Sequence, residues 1–202
     1  MSTAERLTYT PEQYLALDRK TEYRSEYRDG FIVAMSGASR EHNLIALNLG
    51  AELRSQLRDR PCETYVRDMR VRVRSGGPYA YPDVVVVCGE AQFEDEELDT
   101  LLNPTVIVEV LSPTTEAYDR GQKFARYRRL PSLREYVLAS QDRMLIERYA
   151  RQDETWVLTE FSDPDDVLTL PSIGCEVPLR EIYARVTFPD EGPRLAEEET
   201  TR

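Results

Sequence analysis

Two apolar runs, each carrying one acid, constrain this chain more than any other feature: Tyr81-Pro82-Asp83-Val84-Val85-Val86-Val87 and Val106-Ile107-Val108-Glu109-Val110-Leu111. Consecutive β-branched and aliphatic residues bounded by turn formers are what a strand buried on both faces requires. Glu109 interrupts its run in the middle, where no capping role is available. An unpaired charge buried there is strongly unfavourable, so a partner, a bound proton or a metal ion is expected beside it. Asp83, following proline at the start of a strand, also suits a turn or cap. Two acids on neighbouring strands point to a metal ion as their common explanation.

The ligand supply narrows that ion. The chain has one histidine, His42, which excludes any site built on clustered imidazoles. Oxygen ligands favour magnesium or manganese over zinc or copper. The three cysteines, Cys62, Cys88 and Cys175, are far apart, with no spacing that suggests zinc or a disulfide framework, so they are expected to be buried thiols. With 202 residues and 41% hydrophobic content, a single domain is expected over 1–188. An acidic, disordered tail is expected over 189–202. No run reaches membrane-spanning length, and Met1-Ser2-Thr3-Ala4-Glu5-Arg6 lacks the apolar core of a signal peptide, so the expectation is a soluble, cytoplasmic protein.

A net charge of −11 argues against a nucleic-acid partner until its placement is considered. Glu90 to Asp99 contributes −6 and Asp190 to Arg202 contributes −3, leaving −2 for the rest. Within the rest, Arg120, Lys123, Arg126, Arg128, Arg129 and Arg134 form a stretch with no acid among them. Charge runs are usually solvated helix faces; proximity to the Glu109 strand makes this one a candidate patch for a polyanion.

Turn and cap signals organise the remainder. Thr10-Pro11 opens a short helix to about Leu17, and Asp29-Gly30 turns a hairpin between Ser25 and Met35 with Glu26 on its first arm. Ser39 caps a longer helix through Leu57, stopped by Pro61. Thr64 to Arg74 alternates Val66, Met69, Val71 and Val73 with arginines, predicting one half-buried, bent strand. Glu90 to Asp99 reads as an exposed loop or frayed helix. A helix follows Ser112-Pro113-Thr114-Thr115 and runs to about Leu130. Strands are expected at Glu135–Ala139, Met144–Tyr149, Thr155–Phe161 and Val167–Leu170, then a short helix at Leu179–Tyr183.

In the helix after Glu109, Asp119, Lys123 and Tyr127 fall at i, i+4 and i+8 and share a face. The helix must pack back on the sheet, which can bring the Lys123 ammonium beside the two carboxylates; the alternative is a surface pair of Asp119 with Lys123. Two acids, a lysine and a divalent ion can cut a phosphodiester, because the ion neutralises non-bridging oxygens and lowers the pKa of a bound water while lysine stabilises charge.

Five segments resemble one family: Glu26-Tyr27-Arg28-Asp29-Gly30, Tyr81-Pro82-Asp83, Glu109-Val110-Leu111-Ser112-Pro113-Thr114, Tyr118-Asp119-Arg120-Gly121-Gln122-Lys123, and Tyr127 through Tyr136. Together they are similar to the bacterial Uma-two family of endonucleases within the PD-(D/E)xK superfamily. The resemblance implies an α/β, restriction-endonuclease-like core, with a mixed central sheet flanked by helices, and a magnesium-dependent site. It assigns Asp83 and Glu109 as the two acids. Leu111 stands where the superfamily pattern has lysine, two residues after Glu109, and Lys123 looks like its migrated substitute. The resemblance also suggests Glu26 as a third carboxylate, and His42 occupies a position where the family often has histidine.

The sequence thus predicts a Mg (or Mn) dependent DNA endonuclease, with Asp83 and Glu109 as ligands and Lys123 and Glu26 assisting. Phosphate contacts are expected from His42, Arg126, Arg128 and Arg129, with Arg67, Arg70 and Arg72 as further candidates. A homodimer is an open expectation, and no membrane partner is expected. The competing reading is a nuclease fold that has lost rate but still binds nucleic acid or a protein, favoured by Leu111 and the acidic surface. A serine hydrolase is excluded by the lack of a G-x-S-x-G elbow and the single histidine.

Overall fold

The computed structural model describes residues 7–189; the expected tail over 189–202 lies almost wholly outside them. Thr10 opens α1 (Pro11–Asp18) with a capping box: its hydroxyl accepts from the Gln13 N–H while the Gln13 side chain accepts from the Thr10 N–H. The hairpin of β1 (Ser25–Arg28) and β2 (Phe31–Ala34) turns at Asp29 and Gly30, whose φ values of 48° and 95° are those an Asp-Gly turn supplies. Ser39 caps α2 (Arg40–Gln56) by accepting from the His42 N–H.

The expected strand over Thr64 to Arg74 divides in two. β3 (Cys62–Val66) and β4 (Arg70–Arg72) belong to different sheets, and Arg67, at φ 69°, carries the chain across. The run from Tyr81 to Val87 becomes a strand only from Val84, as β6 (Val84–Cys88), while β5 (Tyr79–Ala80), just before it, belongs to the other sheet. β7 (Thr100–Leu101) precedes β8 (Val106–Leu111). The following helix, α3, is continuous but not uniform: a turn at Glu116–Tyr118, a π-helical segment at Asp119–Lys123, and a further α-helical turn at Phe124–Tyr127. β9 (Glu135–Ser140), β10 (Ile146–Gln152), β11 (Thr155–Phe161) and β12 (Val167–Leu170) follow the predicted order. β13 (Cys175–Pro178), which carries too few residues for a clear pattern, and α4 (Leu179–Ile182) complete the chain.

The central sheet has the order β11-β10-β9-β8-β6-β3, mixed because β8 and β9 run parallel while their neighbours are antiparallel. A smaller sheet, β2-β1-β5-β4-β7, and a β12-β13 pair complete the architecture. Period-two alternation decides what each face of the central sheet holds. Val84, Val86, Val106, Val108 and Val110 pack with α2 residues such as Leu49 and Leu53. Val85, Val87, Ile107 and Leu111 face Tyr127, Leu130 and Tyr136. Each fully buried valine or leucine contributes roughly 1.5–3 kcal/mol by leaving water. Glu109 shares the parity of Ile107 and Leu111, so it points toward α3.

Three expectations are corrected. Cys62 and Cys88 are linked by a disulfide, because the β3–β6 register sets them directly opposite each other; only Cys175 is a free, buried thiol. Arg70 is buried and unavailable to a ligand, its guanidinium bonded to Asp18 at 2.8 Å, Asp99 at 3.0 Å and Thr100 at 2.7 Å. The acidic stretch from Glu90 is partly internal, since Glu94 accepts from Arg72 and Tyr79 while Asp95 and Asp99 hold Arg19. Arg72 is therefore also engaged. No helix among the described residues is long and apolar enough to cross a membrane.

Candidate active site

Asp83 lies one step beyond the Val84–Val108 pair of the β6–β8 ladder, which sets it opposite Glu109. The Asp83 carboxylate is fixed at both oxygens: Oδ2 accepts from the Val110 N–H at 2.8 Å, and Oδ1 lies 2.7 Å from His42 Nε2. The capped first turn of α2 delivers that imidazole, so His42 orients an acid and is not poised on open solvent.

Lys123 enters from α3. Its Nζ lies 2.8 Å from Glu109 Oε1, 3.2 Å from Glu26 Oε1 and 3.4 Å from Asp119 Oδ1. The π-helical segment ends at this residue, and single π turns inside helices recur where a functional side chain is re-aimed. Lys123 and Glu109 are 6% and 4% exposed, so the pair is internal and not the surface contact that the i, i+4 spacing also allowed. Tyr127, one turn on, donates its hydroxyl to the same Glu109 Oε1 at 3.1 Å. Glu26 is buried too, and its other oxygen accepts from Arg28, whose guanidinium lies 3.7 Å from the Tyr118 ring centre.

The electrostatics follow from burial. Burial pushes Glu109 well above the usual carboxylate range, and Asp119 and Asp83 add to the shift against the pull of Lys123. Burial likewise raises Asp119. Burial opposes the charge of Lys123, yet Glu109, Glu26 and Asp119 hold it well above the ordinary lysine value. Burial disfavours the Glu26 anion, but Lys123 and Arg28 outweigh it and keep that carboxyl below its ordinary range.

Glu26, Glu109 and Asp119 thus surround Lys123, Glu26 also pairs with Arg28, and Asp83 lies near enough to Glu109 to act on its charge. The carboxyl oxygens gathered here are the hard donors that a divalent ion of the magnesium type prefers. Among the described residues, no group of three or more His, Cys, Asp or Glu side chains is itself arranged to hold a metal. The donor set that fits the ion is the opposed pair Asp83 and Glu109, to be completed by water or substrate, as is common for magnesium.

The structure therefore gathers Asp83, Glu109, Lys123 and Glu26 and sets His42 behind Asp83. It leaves Arg126, Arg128 and Arg129 on the outer side of α3: Arg126 holds Asp29 at 2.6 Å, while Arg128 and Arg129 are exposed. Leu111 is buried in the α3-side core, and the lysine reaches Glu109 from the helix instead of the strand. Asp119 and Tyr127 shared the Lys123 face in the sequence without an assigned role. Arg28 was missed, and its only signal was its place two residues after Glu26.

The Uma2 family model, described as "Putative restriction endonuclease", matches residues 11–180. An uncharacterized protein of Synechocystis sp. is 37% identical over 153 residues, covering 75% of this chain and 86% of its own. A second from the same organism is 34% identical over 180 residues, covering 89% and 93%. A crystal structure of a putative nuclease belonging to DUF820 from Anabaena variabilis matches with a TM-score of 0.70 at 19% identity, covering 87% of this chain and 97% of that one. By its family match and its mixed sheet flanked by helices, the chain belongs to the Uma2 family and has a restriction-endonuclease-like fold.

Proposed function

We propose that this protein is a Mg (or Mn) dependent endonuclease that hydrolyses phosphodiester bonds of DNA. The observation that carries the reading is the juxtaposition of Asp83, immediately before β6, with the buried Glu109 of β8, whose Oε1 lies 2.8 Å from Lys123 Nζ. Asp83 and Glu109 would hold the ion, which when bound supplies charge neutralisation at the phosphate and a water of lowered pKa. Lys123 is the cationic group, positioned to face charge that develops on the reacting phosphate. His42 and the Val110 N–H fix the Asp83 carboxylate, and the Tyr127 hydroxyl fixes Glu109, so the acids are oriented before substrate arrives. Glu26 holds Lys123 from the far side and is itself steadied by Arg28. The family description and the fold of the DUF820 structure support the same reaction class.

A second reading is a nuclease-fold module without turnover. Leu111 favours it, as does the engagement of both Asp83 oxygens. Incubation with supercoiled plasmid in magnesium, manganese or EDTA separates the two. Metal-dependent nicking by wild type, reduced about 100-fold or more in Asp83→Ala, Glu109→Ala and Lys123→Met, is the expected result. Equal behaviour of wild type and all three variants would reject catalysis by this site.

A further inference from the structure

On the side of α3 away from the carboxylates lies a cleft of about 270 Å³ lined by Asp29, Arg74, Pro78, Gln122, Arg126 and Arg129. Three arginines line it beside one acid. Asp29, at the tip of the β1–β2 turn and 58% exposed, bridges two of them: its Oδ2 is 2.6 Å from Arg126, and its Oδ1 is 3.8 Å from Arg74. Arg129 is exposed, with no ion pair or hydrogen bond to its guanidinium among the described residues. An anion is therefore already drawn into the cleft by the chain itself, and one cation is left over.

The cleft is wired to the carboxylate site. Arg126 also donates to the Tyr118 hydroxyl at 3.0 Å; the Tyr118 ring carries the Arg28 guanidinium at 3.7 Å; and Arg28 holds Glu26 at 2.6 Å. One short hairpin thus presents Glu26 to the lysine on one side of α3 and Asp29 to the arginines on the other. The two sites stand about one helix diameter apart, on the order of 10 Å. That is about three nucleotides of one strand at roughly 3.4 Å each.

We infer that this cleft is a phosphate-backbone subsite for a DNA strand that reaches the carboxylate cluster about three nucleotides further on, with Asp29 acting as an internal competitor for the arginines. The inference rests on the nuclease reading for the identity of the strand, but not for the cleft's charge or shape. Arginine is suited to this role, because its planar fork meets phosphate oxygens in pairs. Positioning of this kind needs charge and carries no sequence information.

The test is fluorescence anisotropy of a labelled DNA duplex and a labelled single strand, in EDTA so that nothing is cut, across a series of salt concentrations. Arg74→Ala and Arg129→Ala are expected to weaken binding about threefold to tenfold each and to lower the slope of log affinity against log salt by about one. Asp29→Asn, which keeps a favoured Asn-Gly turn, is expected to tighten binding by up to about fivefold. Inorganic phosphate is titrated in parallel. Oligonucleotide binding that none of the three variants alters would overturn the cleft while leaving the plasmid result to judge the nuclease reading separately. Arginine-dependent binding of inorganic phosphate without oligonucleotide binding would also overturn it, making the cleft a small-anion site. Effects at Arg74, Arg129 and Asp29 in a protein that never nicks plasmid would retain the cleft and reject the nuclease.

Discussion

At the scale of single residues, Lys123 decides the character of the site, because it is the cation that three buried carboxylates share. Removing one member of a buried ion pair strands the other, at about 3–5 kcal/mol. Lys123→Met should therefore lower stability in urea melts by about that amount, and Glu109→Gln should lower it as well. In the Lys123→Met/Glu109→Gln double variant part of the loss should return, since Glu109 is no longer a charge stranded beside the missing ammonium. Strictly additive losses would show that the pair is not coupled. Glu109 was legible in the sequence because it breaks an apolar run, and Lys123 because helical spacing put it on a face with Asp119 and Tyr127. Glu26 was not decidable, because a four-residue strand beside a turn offers either face to solvent; only the packing of α3 against the hairpin buries it. The partners of Asp83 were equally hidden. Nothing local says that His42, forty-one residues away in sequence, will close on it at 2.7 Å.

At the scale of elements, the strongly periodic segments were readable and the breaks between sheets were not. Thr64 to Arg74 alternates on both sides of Arg67, so the pattern conceals the point where the chain leaves the central sheet. The cost of that misreading falls on Arg70, whose place among arginines suggested solvent but which ties α1 to the β4–β7 pair through Asp18 and Asp99. Asp99 gives this junction a pH dependence. Its hydrogen bond from Arg19 leads, burial opposes, and Thr100 and Arg70 assist, so its folded carboxyl sits far below the ordinary value of 3.8. A depressed carboxyl contributes stability that is complete above the unfolded value and is lost as pH falls through the folded one. Melting temperature should accordingly fall between about pH 4 and pH 2 more steeply in wild type than in Asp99→Asn, with the two curves converging at the acid end. Parallel curves over that range would remove Asp99 from the acid sensitivity of the fold. Arg19 and Asp99 are both partly exposed, so added salt should blunt the difference.

At the scale of the whole molecule, the proposed function requires an acidic protein to approach a polyanion, and the arrangement of charge bears on how it could. Part of the Glu90 to Asp99 acidity is consumed by Arg19, Arg70 and Arg72, while Arg128 and Arg129 stay exposed on the α3 side. At the carboxylate cluster, a bound divalent ion would act on stability as well as on chemistry. A ligand bound only by the folded state stabilises it according to its concentration over Kd, by about 2.7 kcal/mol at a hundredfold excess. For a chain of this size each kcal/mol moves Tm by about 2–4 °C, so saturating magnesium or manganese should raise Tm by about 5–10 °C. The rise should vanish in Asp83→Ala and Glu109→Ala, and sodium chloride at matched ionic strength should not reproduce it. Because the readout is melting, it reports the ion whether or not the protein turns over a substrate. An equal rise in all three proteins would instead place the ion on the acidic exterior, since a net charge of −11 attracts divalent cations with no need for the opposed strands.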